Sequence, residues 1–141
     1  MSNNTHWIYV ASFFALNFVG MILLFRHDWN RLAQLYRTHE SPPANISWME
    51  SGSVGFIYYK GTLNVGITRQ GLYLSIFPLF RFGLPPLLIP WSAIRKIEPA
   101  NRMFVERFRL YLSSPEIKLI LRKDVLEPAK EYLAAQGFEW I

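Results

Sequence analysis

Residues 7–25 read WIYVASFFALNFVGMILLF, a stretch in which apolar side chains point in every direction of a helix and no charged side chain occurs. Beyond residue 45 the period of the pattern changes from helical to two. Leu63, Val65 and Ile67 alternate with Thr62, Asn64, Gly66 and Thr68; after Arg69, Gln70 and Gly71, Leu72, Leu74 and Ile76 alternate with Tyr73 and Ser75. Such alternation marks half-buried strands, and the intervening turn makes the pair a hairpin. Phe104, Phe108, Leu110 and Leu112 share one face while Arg107, Arg109 and Tyr111 take the other, and Ile117, Leu119 and Leu121 oppose Lys118 and Arg122. Ile46 to Glu50, Val54 to Lys60 and Ile94 to Glu98 bring the expected set to about seven short antiparallel strands. A final helix is expected from about Glu127 to Gln136, with Pro128 at its first position and Gly137 as its stop.

The 19 residues of 7–25 would extend about 28 Å as a helix, against a hydrocarbon core of roughly 30 Å. Eleven of them are Leu, Ile, Val or Phe, for an insertion free energy on the order of −3 to −7 kcal/mol, an upper bound. The stretch is therefore expected to span a membrane. A cleaved signal peptide needs a basic start and a small-x-small site, whereas SNNTH has no Lys or Arg and residues 21–25 are all bulky. A buried helix of a soluble protein would carry a polar stripe, and none runs along this one.

The flanks suggest an orientation. Arg26, Arg31 and Arg37 follow the span and no basic residue precedes it, which predicts an outer N-terminus and a cytoplasmic remainder at a bacterial plasma (inner) membrane. Trp7, Tyr9 and Trp29, with those arginines, form the expected membrane-interface set. Asn17, mid-span, favours a partner helix, because an unpaired amide is costly in hydrocarbon; Ala11 and Ala15, and Gly20 one turn from Asn17, offer close-packing faces. Residues 26–37 have helical apolar spacing among basic residues and form a short amphipathic helix that either lies on the bilayer or prolongs the span. THESPPAN, residues 38–45, breaks the helix as a linker, so the chain divides into a tail at 1–6, a span at 7–25, a basic collar at 26–37, the linker and a folded domain at 46–141.

Composition narrows the chemistry. In 141 residues, 51% are hydrophobic, 18% are charged and none is Cys, which excludes disulfides, thiolate nucleophiles, zinc fingers and iron–sulfur ligation. All three histidines, His6, His27 and His39, precede the domain. No catalytic carboxylate pair, nucleophile with a base, or phosphate-cradling glycine loop is present, so we expect no enzyme, no cofactor and no metal. The net charge of +5 lies after residue 25. With no long basic run and no RNA-binding signature, nucleic acid is not the expected partner; anionic membrane lipid is.

TLNVGITRQGLYLSIF, followed by a Pro-rich stretch and LLIPWSAIRKIEP, resembles the bacterial pleckstrin-homology-like and GRAM-like domains. It is more closely similar to a group of small bacterial proteins that carry a GLYLS and PPLLIPWS pattern. The resemblance covers residues 46–141 and implies a partly open β-barrel plugged by its C-terminal helix. Some such proteins have His where Leu84 stands here, so the resemblance implies no metal or acid–base role for that position. Pleckstrin-like folds serve lipid binding, peptide binding and scaffolding alike. The expected class is α+β: one N-terminal transmembrane helix and a small antiparallel β-barrel closed by a C-terminal helix.

Two candidate surfaces remain. In residues 77–90, Phe80, Arg81, Phe82 and Leu84 form an apolar stretch that either meets a partner or the membrane, or covers the open end of the barrel. Arg95, Lys96, Arg102, Arg107 and Arg109 either gather into an anionic-lipid patch or form a solvated face paired with Glu98, Glu106 and Glu116. Trp48, Trp91 and Trp140 are expected in core or rim packing. The expected function is a single-span accessory or assembly subunit of a membrane complex, its oligomeric state open. The alternatives are a reader of anionic headgroups and, from another class, a small enzyme with an unrecognised site.

Overall fold

The computed structural model describes residues 2–77 and 84–139. One unbroken helix, α1 (Ser2–Tyr36), comes first. Seven strands follow among the described residues: β1 (Ile46–Val54), β2 (Ile57–Ile67), β3 (Gly71–Ile76), β4 (Leu87–Pro90), β5 (Ile94–Pro99), β6 (Arg107–Leu112) and β7 (Lys118–Arg122). They form one antiparallel sheet in the order β4-β3-β2-β1-β7-β6-β5. The chain ends in α2 (Lys123–Leu126), a 3-10 turn (Glu127–Ala129) and α3 (Lys130–Ala135).

The sheet curls into a half-barrel because its inward positions are nearly all large and apolar. Leu63 pairs with Ile76, Val65 with Leu74 and Ile67 with Leu72 across β2 and β3, which is the hairpin expected from the alternation. Phe108 pairs with Leu121 and Leu110 with Leu119 across β6 and β7. All of these side chains are buried. The half-barrel stays open: the expected C-terminal helix is present, but it does not close the barrel. β4 and β5 are its two edges, joined directly by the 3-10 turn Trp91–Ala93. Pro90 and Pro99 end these edge strands without a ladder donor, and Arg95 and Lys96 stand exposed on one of them, features that oppose pairing at an edge.

Three other boundaries differ from expectation. Residues 54–60 are not one strand: β1 continues to Val54, Gly55 and Phe56 make a two-residue turn, and Val54 pairs with Ile57. Gly55 has φ +62°, the left-handed region that admits glycine without a Cβ penalty. β4 is a strand that the sequence pattern hid, because LLIP lacks alternation. The C-terminal helix begins at Lys123 rather than near Pro128; Val125, Leu126, Ala129 and Leu133 are its buried face, and the 3-10 turn takes up the proline that lacks an N–H.

The two helical parts cover opposite ends of the half-barrel. At one end Trp91 stacks on Tyr132 of α3 with ring centroids 5.8 Å apart, and its Nε1–H donates to Thr68 O at 2.9 Å. At the other lies the end of α1. Residues of α1 from Thr5 to Leu24 are exposed wherever their side chains are described, but Asp28, Trp29 and Leu32 are buried, with Ala33 and Tyr36 packed against the core. This spacing of one and four is a single helical stripe. Residues 26–37 therefore continue the same helix, and their apolar stripe is part of the hydrophobic core.

Trp29 is the hub of this contact. Its Nε1–H donates to Pro85 O at 2.8 Å and its ring meets Tyr59 edge-on at 5.9 Å. Tyr36 hydroxyl donates to Ser114 O at 2.7 Å, and the Thr38 N–H to Pro86 O at 3.0 Å. The segment that follows is also held: Asn45 O accepts from the Ile67 N–H at 2.9 Å, and Pro43 lies so close to Gly66 that a Cβ there would fall 2.5 Å from its Cγ. Removing a fully buried large side chain costs about 3–5 kcal/mol, whereas an exposed position costs about 0.5 kcal/mol or less. Trp29→Ala should therefore lower the thermal unfolding temperature of the detergent-solubilised chain strongly and Leu35→Ala hardly at all; equal midpoints would contradict the packing described.

Candidate functional site

Within α1 the helix-contact candidates fall on two sides. At about 100° per residue, Ala11 and Ala15 share one face, and Asn17 and Gly20 lie on the opposite one. All four are exposed. Asn17 Nδ2 donates to Phe13 O at 2.8 Å, so one donor is satisfied within its own helix, which reduces the cost of placing it in hydrocarbon. Trp7 and Tyr9 are exposed near the start of the helix.

The expected interface set that follows the apolar stretch divides. Trp29 leaves no surface for headgroups, because the domain encloses it completely. Arg26 is half-buried, and its Nε has no hydrogen-bond partner among the described residues. Arg31 reaches Asp28 at 3.8 Å, and Arg37 is exposed at the helix end, where it bridges to Leu87. Of the apolar candidates in residues 77–90, Leu84 is a core residue at 4% exposure. Phe80, Arg81 and Phe82 lie outside the described residues, as does Trp140. Trp91 is in the core as expected, but Trp48 is 57% exposed.

Half of the twelve basic residues in 46–141 lie on β5, β6 and β7, which carry Arg95, Lys96, Arg107, Arg109, Lys118 and Arg122 against a single carboxylate, Glu98. Strand register sets their neighbours. Lys96 pairs with Tyr111 and Tyr111 with Lys118; Glu98 pairs with Arg109, and Arg107 with Arg122. Glu98 Oε1 accepts from Arg109 Nη1 at 2.7 Å and from the Tyr111 hydroxyl, while Oε2 lies 3.4 Å from Lys96 Nζ. The ammonium groups of Lys96 and Lys118 each stand 5.3 Å from the centroid of the Tyr111 ring, within cation–π range.

This arrangement brings together Lys96 and Arg109 of the five predicted patch residues, with Glu98 between them. Arg107 is on the same side of β6 but is directed to the end of β5, its Nε donating to Ala100 O at 3.3 Å, and Arg102 sits in a separate turn bridged to Val105. Arg95 is exposed on the edge strand. Lys118 and Arg122 join the face although they stood outside the predicted patch. Their alternation with Leu119 and Leu121 placed them on the polar face of β7, and the missing information was the register against β6. Arg122 is partnered by Asp124 at 2.6 Å and by Glu50 at 3.8 Å.

The Tyr111 hydroxyl, then the Arg109 guanidinium, and then the Lys96 ammonium hold the Glu98 carboxyl at about 2, well below its ordinary 4.5. Such a cluster presents positive charge around a carboxylate that stays ionised through the neutral range, and it can attract anions without any acid–base function.

Apolar exposure is greatest at two turns whose residues the alternation places in strands: Phe56 inside 54–60, and Phe104 on one face with Phe108, Leu110 and Leu112, whereas β6 begins only at Arg107 and leaves Phe104 in the connection before it. Phe56 is 97% exposed beside Gly55, and Met103 and Phe104 are 90% and 104% exposed in the β5–β6 connection. Their signal in the sequence was a large apolar side chain at a turn position where polar residues are usual.

No family model, curated protein or solved structure matches this chain.

Because Glu98 has a depressed folded pKa, its contribution to stability is complete above about 4.5 and disappears as the pH falls toward about 2. Glu98→Gln should flatten the acid limb of a stability–pH profile within that window, by a small amount since the group meets water. Superimposable profiles for the two proteins would show that the cluster does not favour the ionised form.

Proposed function

We propose that this chain is a single-span membrane protein whose β-domain is held on the cytoplasmic face of a bacterial plasma membrane as an accessory or assembly module. It is not an enzyme; its work is binding or scaffolding. The observation that carries this reading is that one helix serves both as the candidate span and as a core element of the domain: α1 is long and apolar enough to cross a membrane, and its last turns contribute Trp29 and Leu32 to the core. A domain joined to its anchor in this way is suited to presenting a surface at a fixed position. Arg26, Arg31 and Arg37 after the apolar stretch support the cytoplasmic orientation. A pleckstrin-like character for the domain is supported by seven antiparallel strands followed by a C-terminal helix.

In this reading a membrane partner packs on α1, through the Ala11 and Ala15 face or the Asn17 and Gly20 face. Purified in mild detergent with a C-terminal tag, the chain should bring down a partner in fixed stoichiometry, and substitutions on the face in use, Ala11→Leu with Ala15→Leu or Asn17→Leu with Gly20→Leu, should release it. Recovery of the intact chain from the soluble fraction without detergent would overturn the reading.

A second reading is favoured by the six basic residues on β5–β7: the module recognises anionic headgroups. Then the detergent-purified chain should retain anionic phospholipid, and the double variant Lys118→Ala, Arg122→Ala should lose it, as should higher salt, since screening shortens to about 3 Å at 1 M. Lipid content equal in parent and variant would exclude that face as the site.

A further inference from the structure

Phe56 has a place in the fold that its exposure alone does not reveal. The two-residue turn it shares with Gly55 is pressed against α1. The Phe56 N–H donates to Asp28 Oδ2 at 3.0 Å, and a Cβ on Gly55 would fall 2.0 Å from the same oxygen. On its other side the Gly55 N–H donates to Lys118 O at 2.8 Å. Of the hydrogen bonds described between α1 and the strands or their connections, those of Asp28, Trp29 and Tyr36, this one lies nearest the apolar stretch. Asp28 is three residues beyond Phe25, where the uncharged stretch ends. That is a rise of about 4.5 Å along the helix, less than the roughly 5–7 Å depth of one headgroup layer. A span seated in the bilayer therefore brings the turn to the level of the headgroups.

The side chains behind the turn match that level. β2 leaves the turn with Tyr59 inward and Tyr58 and Lys60 outward. The exposed side of this hairpin is thus Phe56, then Tyr58 at 54% exposure, then the exposed Lys60. An apolar ring, an amphipathic ring and a cation in succession away from hydrocarbon follow the order of a membrane interface: acyl boundary, glycerol level, phosphate. The Met103 and Phe104 turn is equally exposed but stands elsewhere. It precedes β6, whose first residue Arg107 pairs with Arg122, the end of β7 opposite Lys118. It is therefore at the end of the half-barrel remote from Gly55.

We propose that Phe56, Tyr58 and Lys60 form a second membrane contact, in which the ring of Phe56 enters the boundary between headgroups and acyl chains and fixes the domain's face against the bilayer. Asp28 is the positioning residue, since it holds the turn from the helix side. The occupant of this surface is lipid. The inference rests on the reading of α1 as a span.

The absence of cysteine from the chain permits a direct test. Three full-length single-cysteine variants, Phe14→Cys, Phe56→Cys and Phe104→Cys, each carry the same environment-sensitive fluorophore and are reconstituted in phosphatidylcholine–phosphatidylglycerol liposomes with or without quencher lipids. Tyr58→Cys supplies a second probe on the hairpin. All four positions are at least half exposed, and unchanged thermal midpoints verify folding. The expected result is loss of emission and a blue shift at Phe14, Phe56 and Tyr58, with Phe104 as in water. Quenching at Phe14 with Phe56 and Tyr58 behaving like Phe104 would overturn this inference and leave the span intact. Absence of quenching at Phe14 would overturn both.

Discussion

The last turns of α1 lying under the half-barrel are the contact on which the rest of this structure depends. A seven-strand sheet that does not close leaves the apolar ends of its strands facing water, at a cost of roughly 25 cal/mol for each Å² of apolar surface. Trp29 and Leu32 cover that surface at one end, and Trp91 with Tyr132 does so at the other. The first of these covers belongs to the same helix as the candidate span. The candidate span and the domain therefore share a core.

Around Trp29 the polar groups are arranged to make its burial tolerable. The indole N–H is satisfied by Pro85 O, and the neighbouring Asp28, only 5% exposed, accepts from the Phe56 N–H and faces Arg31. A buried carboxylate is tolerated when it is hydrogen-bonded and paired in this way. Its charge is felt nearby: burial first, and then Asp28, push the Tyr59 hydroxyl up to about 12. Gly55 completes the joint, since any side chain there would collide with the Asp28 carboxylate. A glycine, a carboxylate and a tryptophan, far apart in sequence, thus fix one helix end to one hairpin.

The parts of this architecture legible in the sequence were those with a clean period. The β2–β3 pairing of Leu63, Val65 and Ile67 with Ile76, Leu74 and Leu72 follows from alternation and a turn, as does the inward row of β6 and β7. The extent of α1 as an apolar helix follows from composition. What periodicity could not disclose was which surface the stripe of Trp29, Leu32 and Tyr36 would face, because bilayer and β-sheet select the same pattern. Nor could it show β4, whose four residues carry no alternation, or the true hairpin tip, where the pair Gly55 and Phe56 lacks the usual asparagine–glycine signature. On the basic face, composition identified the cations, but only strand register brought Lys118 beside Tyr111 and set Glu98 between Lys96 and Arg109.

The most direct measurement of the shared core is the distance between two spin labels in the cysteine-free chain, one replacing the exposed His27 on α1 and the other replacing Phe104 at the remote end of the sheet. The account predicts a single narrow distance distribution, unchanged between detergent and liposomes and broadened when Trp29 is replaced by Ala. A broad distribution in the parent protein would mean that the domain swings freely on α1, and would contradict it.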